Sequence, residues 1–147
     1  MVFQYKPTND LTGKLVVVTG GSSGVGRASC FALAKLNCTL IIAARNETKT
    51  RAVIEEIKTE TKNLKIEFLL ISLDDLESCR NAAQVLLTRN EPIDILMNNG
   101  GIAGITGMSK DGFELTFATN HLVIPVWLTV GPVSIHSANL ATHWKNS

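Results

Sequence analysis

Leu15-Val16-Val17-Val18-Thr19-Gly20-Gly21-Ser22-Ser23-Gly24-Val25-Gly26 is the stretch that decides the fold. Its continuous, mostly β-branched run reads as a strand buried on both faces, the habit of a parallel sheet. The run ends in a loop with glycines spaced G-x-x-x-G-x-G. Gly24 then opens a segment whose apolar residues (Val25, Ala28, Phe31, Ala32, Ala34) recur at helical spacing as far as Leu36. A glycine at the strand end lets the chain turn sharply, another lets backbone N–H groups approach a diphosphate, and a third lets the helix pack close to the sheet. The helix N-terminus aims unpaired N–H groups and a partial positive charge at an anion. Ser22 and Ser23 add hydroxyl donors, so Gly20, Ser22, Ser23, Gly24, Val25 and Gly26 are candidate ligand contacts. A bare surface turn is the competing reading of a glycine-rich loop. Strand, loop and helix in this order, with a second strand at the right distance, point instead to a nucleotide site. The absence of G-K-S or G-K-T excludes a P-loop.

Working outward, similar runs recur at Thr39–Ala43, Ile66–Ile71 and Ile93–Met97. Helical segments lie between them. Glu47–Lys62 carries Ala52, Val53 and Ile57 on one side, and Asp75–Arg89 carries Leu76, Cys79, Ala83, Leu86 and Leu87. Asp74 and Glu77 have the spacing of an N-cap and its N3 partner. Asp111 and Glu114 repeat it before Leu115 and Phe117, which predicts a fourth helix from Asp111. The order β-α-β-α-β-α-β-α predicts an α/β fold, a Rossmann-like doubly wound parallel sheet of about four strands. No repeat or linker divides residues 1–147. One domain is expected, well specified over 11–122 and poorly over 130–147, where Val133–Ile135 is a short candidate strand.

A chain of 147 residues that is 45% hydrophobic and 18% charged is ordinary globular material, which excludes disordered and collagen-like classes. Fourteen Lys and Arg against thirteen Asp and Glu leave a charge of +1, too little to draw nucleic acid or an anionic membrane. Any phosphate binding must be local. Cys30, Cys38 and Cys79 form no C-x-x-C pair, and His121, His136 and His143 are widely spaced. No metal site is expected, and a reducing, cytoplasmic setting fits. The N-terminus is polar and charged within a few residues and does not read as a signal peptide. Leu115 to Trp144 contains no Asp, Glu, Lys or Arg, but Asn120, His121, Pro125, Gly131 and Pro132 interrupt it. Its apolar runs fall short of the ~20 residues of a membrane span, so a buried or exposed apolar tail is expected.

Arg45 follows Gly26 by nineteen residues, at the end of Leu40-Ile41-Ile42-Ala43-Ala44-Arg45-Asn46. An acid near this spacing would hold the ribose 2′-hydroxyl of NAD. A guanidinium, with Lys49 a turn away, suits a 2′-phosphate, so NADP is expected over NAD; an ordinary solvated arginine is the alternative.

Thr19 to Gly26 match T-G-x-x-x-G-x-G throughout. With the residues around them they closely resemble the short-chain dehydrogenase/reductase family, and in particular its retinol-dehydrogenase-like branch. Asn98-Asn99-Gly100-Gly101 is similar to the family's N-N-A-G, with glycine in the alanine position. The resemblance implies that Asn98, Asn99 and Gly100 steady the sheet and line the cofactor cleft. Asp111-Gly112-Phe113-Glu114, Phe117 and Asn120-His121-Leu122 resemble the D-G-[FL]-E…F…N-H-L run of that branch. Asn120 falls on the asparagine of the family's Asn-Ser-Tyr-Lys tetrad. The resemblance covers about Leu11 to Leu122. It implies an NADP(H)-dependent oxidoreductase acting on alcohol or carbonyl groups, with a lipophilic substrate in a full-length relative.

Two departures matter. Family members carry an acid after the third strand, near the adenine; aligned through Leu76 and Arg80, that position is Ser72, with Asp74 two residues on. Ser72 is a candidate adenine contact, and Asp74 is read as the cap of the next helix. The family's chemistry also uses Tyr-x-x-x-Lys, whose i, i+4 spacing puts a proton-transferring tyrosine and its lysine on one helix face. The only tyrosine here is Tyr5, and the only lysine beyond Asn120 is Lys145, so Asn120 is the single tetrad member present. Ser134, Ser137, His136 and His143 read as incidental groups of the tail, and Pro125 predicts a helix kink.

The expectation is the cofactor-binding part of a dehydrogenase, ending before its catalytic helix. Three function classes stay open: a dehydrogenase completed by residues from elsewhere, a catalytically silent NADP(H)-binding module, and an interaction-only fragment. The strand at Ile93–Met97 and the helix from Asp111 would lack outer partners. That predicts self-association through the sheet edge or the fourth helix, unless the uncharged tail covers them.

Overall fold

β1 (Leu15–Thr19) is buried along its whole length, and the rest of the chain is arranged around it. The computed structural model describes residues 10–130. Tyr5, Val133–Ile135, Ser134, Ser137, His136, His143 and Lys145 lie outside them. After β1 come α1 (Gly24–Ala34), β2 (Thr39–Ala44), α2 (Glu47–Thr61), β3 (Ile66–Leu70), α3 (Leu76–Thr88), β4 (Ile95–Met97), α4 (Leu115–Phe117) and α5 (Val123–Val130). A π-helical turn, Ala118–Leu122, joins α4 to α5.

All strand pairs are parallel, in the order β3-β2-β1-β4. Strand alternation sorts β1 between two cores. Val16 and Val18 pack with Leu40 and Ile42 beneath Cys30 and Ala34 of α1 and Val53, Ile54 and Ile57 of α2. Leu15 and Val17 pack with Ile41 and Ala43 beneath Cys79, Ala82, Ala83 and Leu86 of α3 and Val123 of α5. Helices on both faces explain why the strands read as unbroken apolar runs: neither face meets water. This is the doubly wound, Rossmann-like sheet that the element order predicts.

The boundaries differ where side chains take over backbone roles. β4 is shorter than the run Ile93–Met97. At its start the Asp94 carboxylate accepts from the Leu15 N–H at 2.9 Å, in place of a backbone carbonyl, while the Asp94 N–H donates to the Leu15 carbonyl at 3.0 Å. Lys14 pairs with the same carboxylate at 2.8 Å. Within the described residues β4 is the sheet edge beyond β1.

The cap of α3 is Asp75, not Asp74, and its side chain accepts from Ser78 N–H at 3.1 Å. The fourth helix starts at Leu115, not at Asp111. Gly112, at φ +81°, turns the chain back so that Met108 bridges to Glu114, and Glu114 caps α4 by accepting from the Thr116 and Phe117 N–H groups. Asp111 is thereby freed to reach another helix: it accepts from the Leu76 N–H at 2.9 Å, capping α3 from 35 residues away. Lys110 adds an ion pair to Asp75 at 2.6 Å. Pro125 lies in the first turn of α5, where its missing N–H breaks no α-helical bond of that helix, and the irregularity falls instead on the π turn just before it.

Gly21 is buried, and a methyl at its Cβ would lie 2.7 Å from both Cys30 Sγ and Ile42 Cγ2. Those two side chains are themselves sealed in the core. Gly21→Ala is therefore expected to cost about 1–3 kcal/mol, read as a fall in the thermal midpoint; an unchanged midpoint would contradict this packing.

The Lys110 ammonium and the Ser78 N–H hold the Asp75 carboxyl below the usual carboxylate range. A depressed folded-state value stabilises fully above the unfolded value and less as pH falls through the folded one. Asp75→Asn should lose stability at neutral pH and flatten the decline of the midpoint below about pH 4. An acid limb identical to that of the parent would show that the pair contributes nothing.

Candidate functional site

The carboxyl ends of the four strands open onto one cleft of about 620 Å³, within the range of small-molecule sites. Strand order reverses direction about β1, since its neighbours are β2 on one side and β4 on the other. Such a switch point leaves a crevice where ligands of open α/β sheets bind. The glycine loop forms its floor, with Gly20, Ser22, Ser23, Val25 and Gly26 in the lining.

The loop is held by the segment after β4. Asn99 Nδ2 donates to the carbonyls of Thr19 and Gly20 at 3.1 and 3.4 Å, and the Thr19 hydroxyl accepts from Gly100 N–H at 2.9 Å. This closeness tolerates no side chain at two of the motif glycines. A Cβ on Gly26 would sit 2.4 Å from Asn99 Nδ2 and from the Gly20 carbonyl oxygen, and one on Gly20 would sit 2.7 Å from Gly100 Cα. Gly24 differs: it has φ +53° and open space where a side chain would be. Ser23 is the N-cap of α1 but makes no side-chain cap bond, leaving the N-terminal N–H groups of an eleven-residue helix facing the cleft. Neither Ser22 nor Ser23 uses its hydroxyl within the described residues.

At the β2 end, Ala43, Ala44 and Arg45 line the cleft. Arg45 is exposed and has no carboxylate partner among the described residues, whereas Arg27 is engaged by Glu56 and lies over the Phe31 ring at 4.7 Å. At the β3 end the lining is Ile71, Leu73 and Asp74. Ser72, the residue the sequence alignment singles out, is not in the lining; its hydroxyl donates to Asp74 Oδ1. Asp74 is thus oriented into the site by Ser72 while the neighbouring Asp75 does the capping, which corrects the expectation that Asp74 caps α3.

The β4 end supplies Asn99, Gly100, Gly101 and Ile102, faced by Ile105, Leu115 and Thr119. Asn98 is exposed and lies outside the lining. Asn120 is outside it as well. Its side chain grips one residue at two points, accepting from Ile102 N–H at 2.9 Å and donating to the Ile102 carbonyl at 2.8 Å. It thereby ties the π turn to the loop after β4. Burial pushes the Cys30 and Cys79 thiols up to about 12, so neither offers a thiolate at neutral pH.

Of the residues expected at the site, Gly20, Ser22, Ser23, Val25, Gly26, Arg45, Asn99 and Gly100 come together around the cleft. Gly24 shapes the loop, and Ser72, Asn98 and Asn120 stand behind or beside it. Ile71, Leu73, Asp74, Ile102, Ile105 and Thr119 were not anticipated as lining. The signal for most of them was positional, since they follow directly on β3 and β4, where a parallel sheet presents its ligand face.

Residues 14–130 match the family described as short chain dehydrogenase. The chain is 40% identical over 114 residues to an uncharacterized oxidoreductase of Schizosaccharomyces pombe, covering 77% of this chain and 34% of that protein. It is 34% identical over 113 residues to human retinol dehydrogenase 13, covering 76% and 34% respectively. A short chain dehydrogenase from Escherichia coli CFT073, solved in complex with NADPH, superposes with a TM-score of 0.69 at 26% identity, covering 84% of this chain and 54% of that one. The chain spans about a third of the length of these curated relatives. No helix among the described residues is long and apolar enough to cross a membrane. A glycine loop latched to the turn after β4, at the switch point of a 3-2-1-4 sheet, agrees with what the sequence matches show: the chain belongs to the short-chain dehydrogenase/reductase family.

Proposed function

We propose that the chain holds NADP(H) as the nucleotide-binding part of a dehydrogenase/reductase acting on a lipophilic alcohol or carbonyl compound. The observation that carries the choice of NADP over NAD is Arg45, a guanidinium with no carboxylate partner among the described residues, at the rim of the cleft where an NAD site would place an acid.

The cleft suits a dinucleotide on the chain's own evidence. Gly20 and Gly26 leave backbone where a Cβ would collide, Gly24 leaves space open, and among the described residues the Ser22 and Ser23 hydroxyls have no partner and α1 has no side-chain N-cap bond. Ser22, Ser23 and the N–H groups opening α1 would hold the diphosphate. Arg45 would meet the 2′-phosphate, while Ala44, Ile71 and Leu73 present apolar surface for the adenine with Asp74 as its polar contact. The bound cofactor supplies or accepts a hydride. What this chain's residues contribute is binding, orientation and a fixed loop after β4, kept in place by the Asn120 grip on Ile102. The retinol dehydrogenase name among the relatives supports a lipophilic alcohol as substrate.

A second reading, a catalytically silent cofactor-binding module, is favoured by one fact. These 147 residues contain a single tyrosine, Tyr5, and no Tyr-x-x-x-Lys. The proton transfer that accompanies hydride transfer would need a group from beyond them.

A thermal-unfolding titration tests both readings. NADPH at a hundred times its Kd should stabilise the chain by about 2.7 kcal/mol, several degrees at this size, and more than NADH at equal concentration. Arg45→Asp should weaken NADPH relative to NADH by about tenfold or more. An unchanged preference would remove the 2′-phosphate assignment. Binding without turnover of alcohol or aldehyde substrates is the expected behaviour of the 147-residue chain, and measurable turnover would exclude the silent module.

A further inference from the structure

Among the described residues, Thr119 is the one lining the cleft whose side-chain polar group is fully enclosed and unused. It is 5% exposed, and its hydroxyl oxygen is buried with no hydrogen-bond partner. Helical threonines ordinarily satisfy this group on a carbonyl in the preceding turn. Thr50, Thr61 and Thr88 do so here, donating to Asn46, Ile57 and Val85 at 2.6, 2.8 and 2.7 Å. Thr116, three residues before Thr119, instead crosses to the Ile105 carbonyl. Thr119 lies in the widened turn Ala118–Leu122 and makes neither kind of bond.

A buried hydroxyl left without a partner costs stability, and native proteins rarely retain one without a use. Its setting supplies the use. Thr119 lines the cleft with Gly101, Ile102, Ile105 and Leu115. Ile102 is fixed in that lining, because the adjacent Asn120 side chain clamps both its N–H and its carbonyl. Apart from that clamped backbone, the nearby lining is Ile105 and Leu115, which offer no side-chain polar partner, so a ligand is the natural acceptor or donor.

We propose that the Thr119 hydroxyl, turned into the cleft by rotation about χ1, is a hydrogen-bond anchor for the bound dinucleotide, meeting a sugar hydroxyl or amide group in the part of the cleft beside the turn after β4. The inference rests on the NADP(H) reading above and adds to it a residue outside the glycine loop and the N-N-G-G turn. The hydroxyl acts only on ligand, so the free protein gains nothing from it. That separates it from a structural threonine.

The test is calorimetric binding of NADPH to the parent chain, Thr119→Val and Thr119→Ser, with the midpoint of each ligand-free protein measured alongside. Valine keeps the shape and removes the hydroxyl. It should leave the ligand-free midpoint unchanged or raised and weaken NADPH about two- to tenfold. Serine restores the hydroxyl and should bind NADPH like the parent. Valine binding NADPH as tightly as the parent would overturn the anchor while leaving the NADP(H) reading intact, the result expected if a trapped water already satisfies the hydroxyl. A ligand-free midpoint clearly lowered by valine would also overturn it, by showing that the hydroxyl has a partner within the protein. No NADPH binding by the parent chain would overturn the broader reading and the anchor together.

Discussion

The amide of Asn99 holds the ends of two strands together. By donating to the Thr19 and Gly20 carbonyls it fixes the glycine loop as the chain leaves β1, and through Thr19 and Gly100 the same latch fixes the turn leaving β4. The backbones approach so closely that only glycine fits at positions 20 and 26. The direction of α1 follows from that closeness, as does the orientation of its N-terminal N–H groups. Without the latch the cleft would have a floor but no fixed relation between its β1 and β4 sides. The requirement for glycine in this motif is thus partly a demand of the protein on itself, made before any ligand arrives.

Local rules that coincide with tertiary ones were legible in the sequence. β1 and β2 are buried on both faces and read as apolar runs, and their observed limits fall within one residue of those runs. The helices α1 and α2 were visible for the same reason: their apolar stripes face a core that the strand pattern already implied. What escaped was the assignment of single carboxylates. Asp74, Asp75 and Asp111 are all plausible caps by spacing, and which one caps which helix end depends on a turn at Gly112 that brings Asp111 back across 35 residues. Spacing rules see neighbours in sequence and are blind to a cap delivered from elsewhere.

The site was legible in a similar proportion. Motif residues that act through backbone, such as Gly20, Gly26 and Asn99, were found because their constraint is written into residue type. Residues that act through position, such as Leu73, Ile105 and Thr119, carry no such mark. Ser72 illustrates the distinction. Alignment placed a ligand contact there, yet its short side chain reaches Asp74, and the longer carboxylate faces the cleft.

Gly100 occupies the position where the family's N-N-A-G turn carries alanine, and the structure shows what has taken that methyl's place. A Cβ there would lie 2.6 Å from Leu73 Cδ1, in the segment that follows β3. Without a methyl at Gly100, the branched end of Leu73 fills the space where one would lie. Positions 73 and 100 therefore constrain each other as a knob and its hole: enlarging one calls for trimming the other. Side-chain contact thus couples the ends of β3 and β4, the two strands that stand furthest apart in the sheet order.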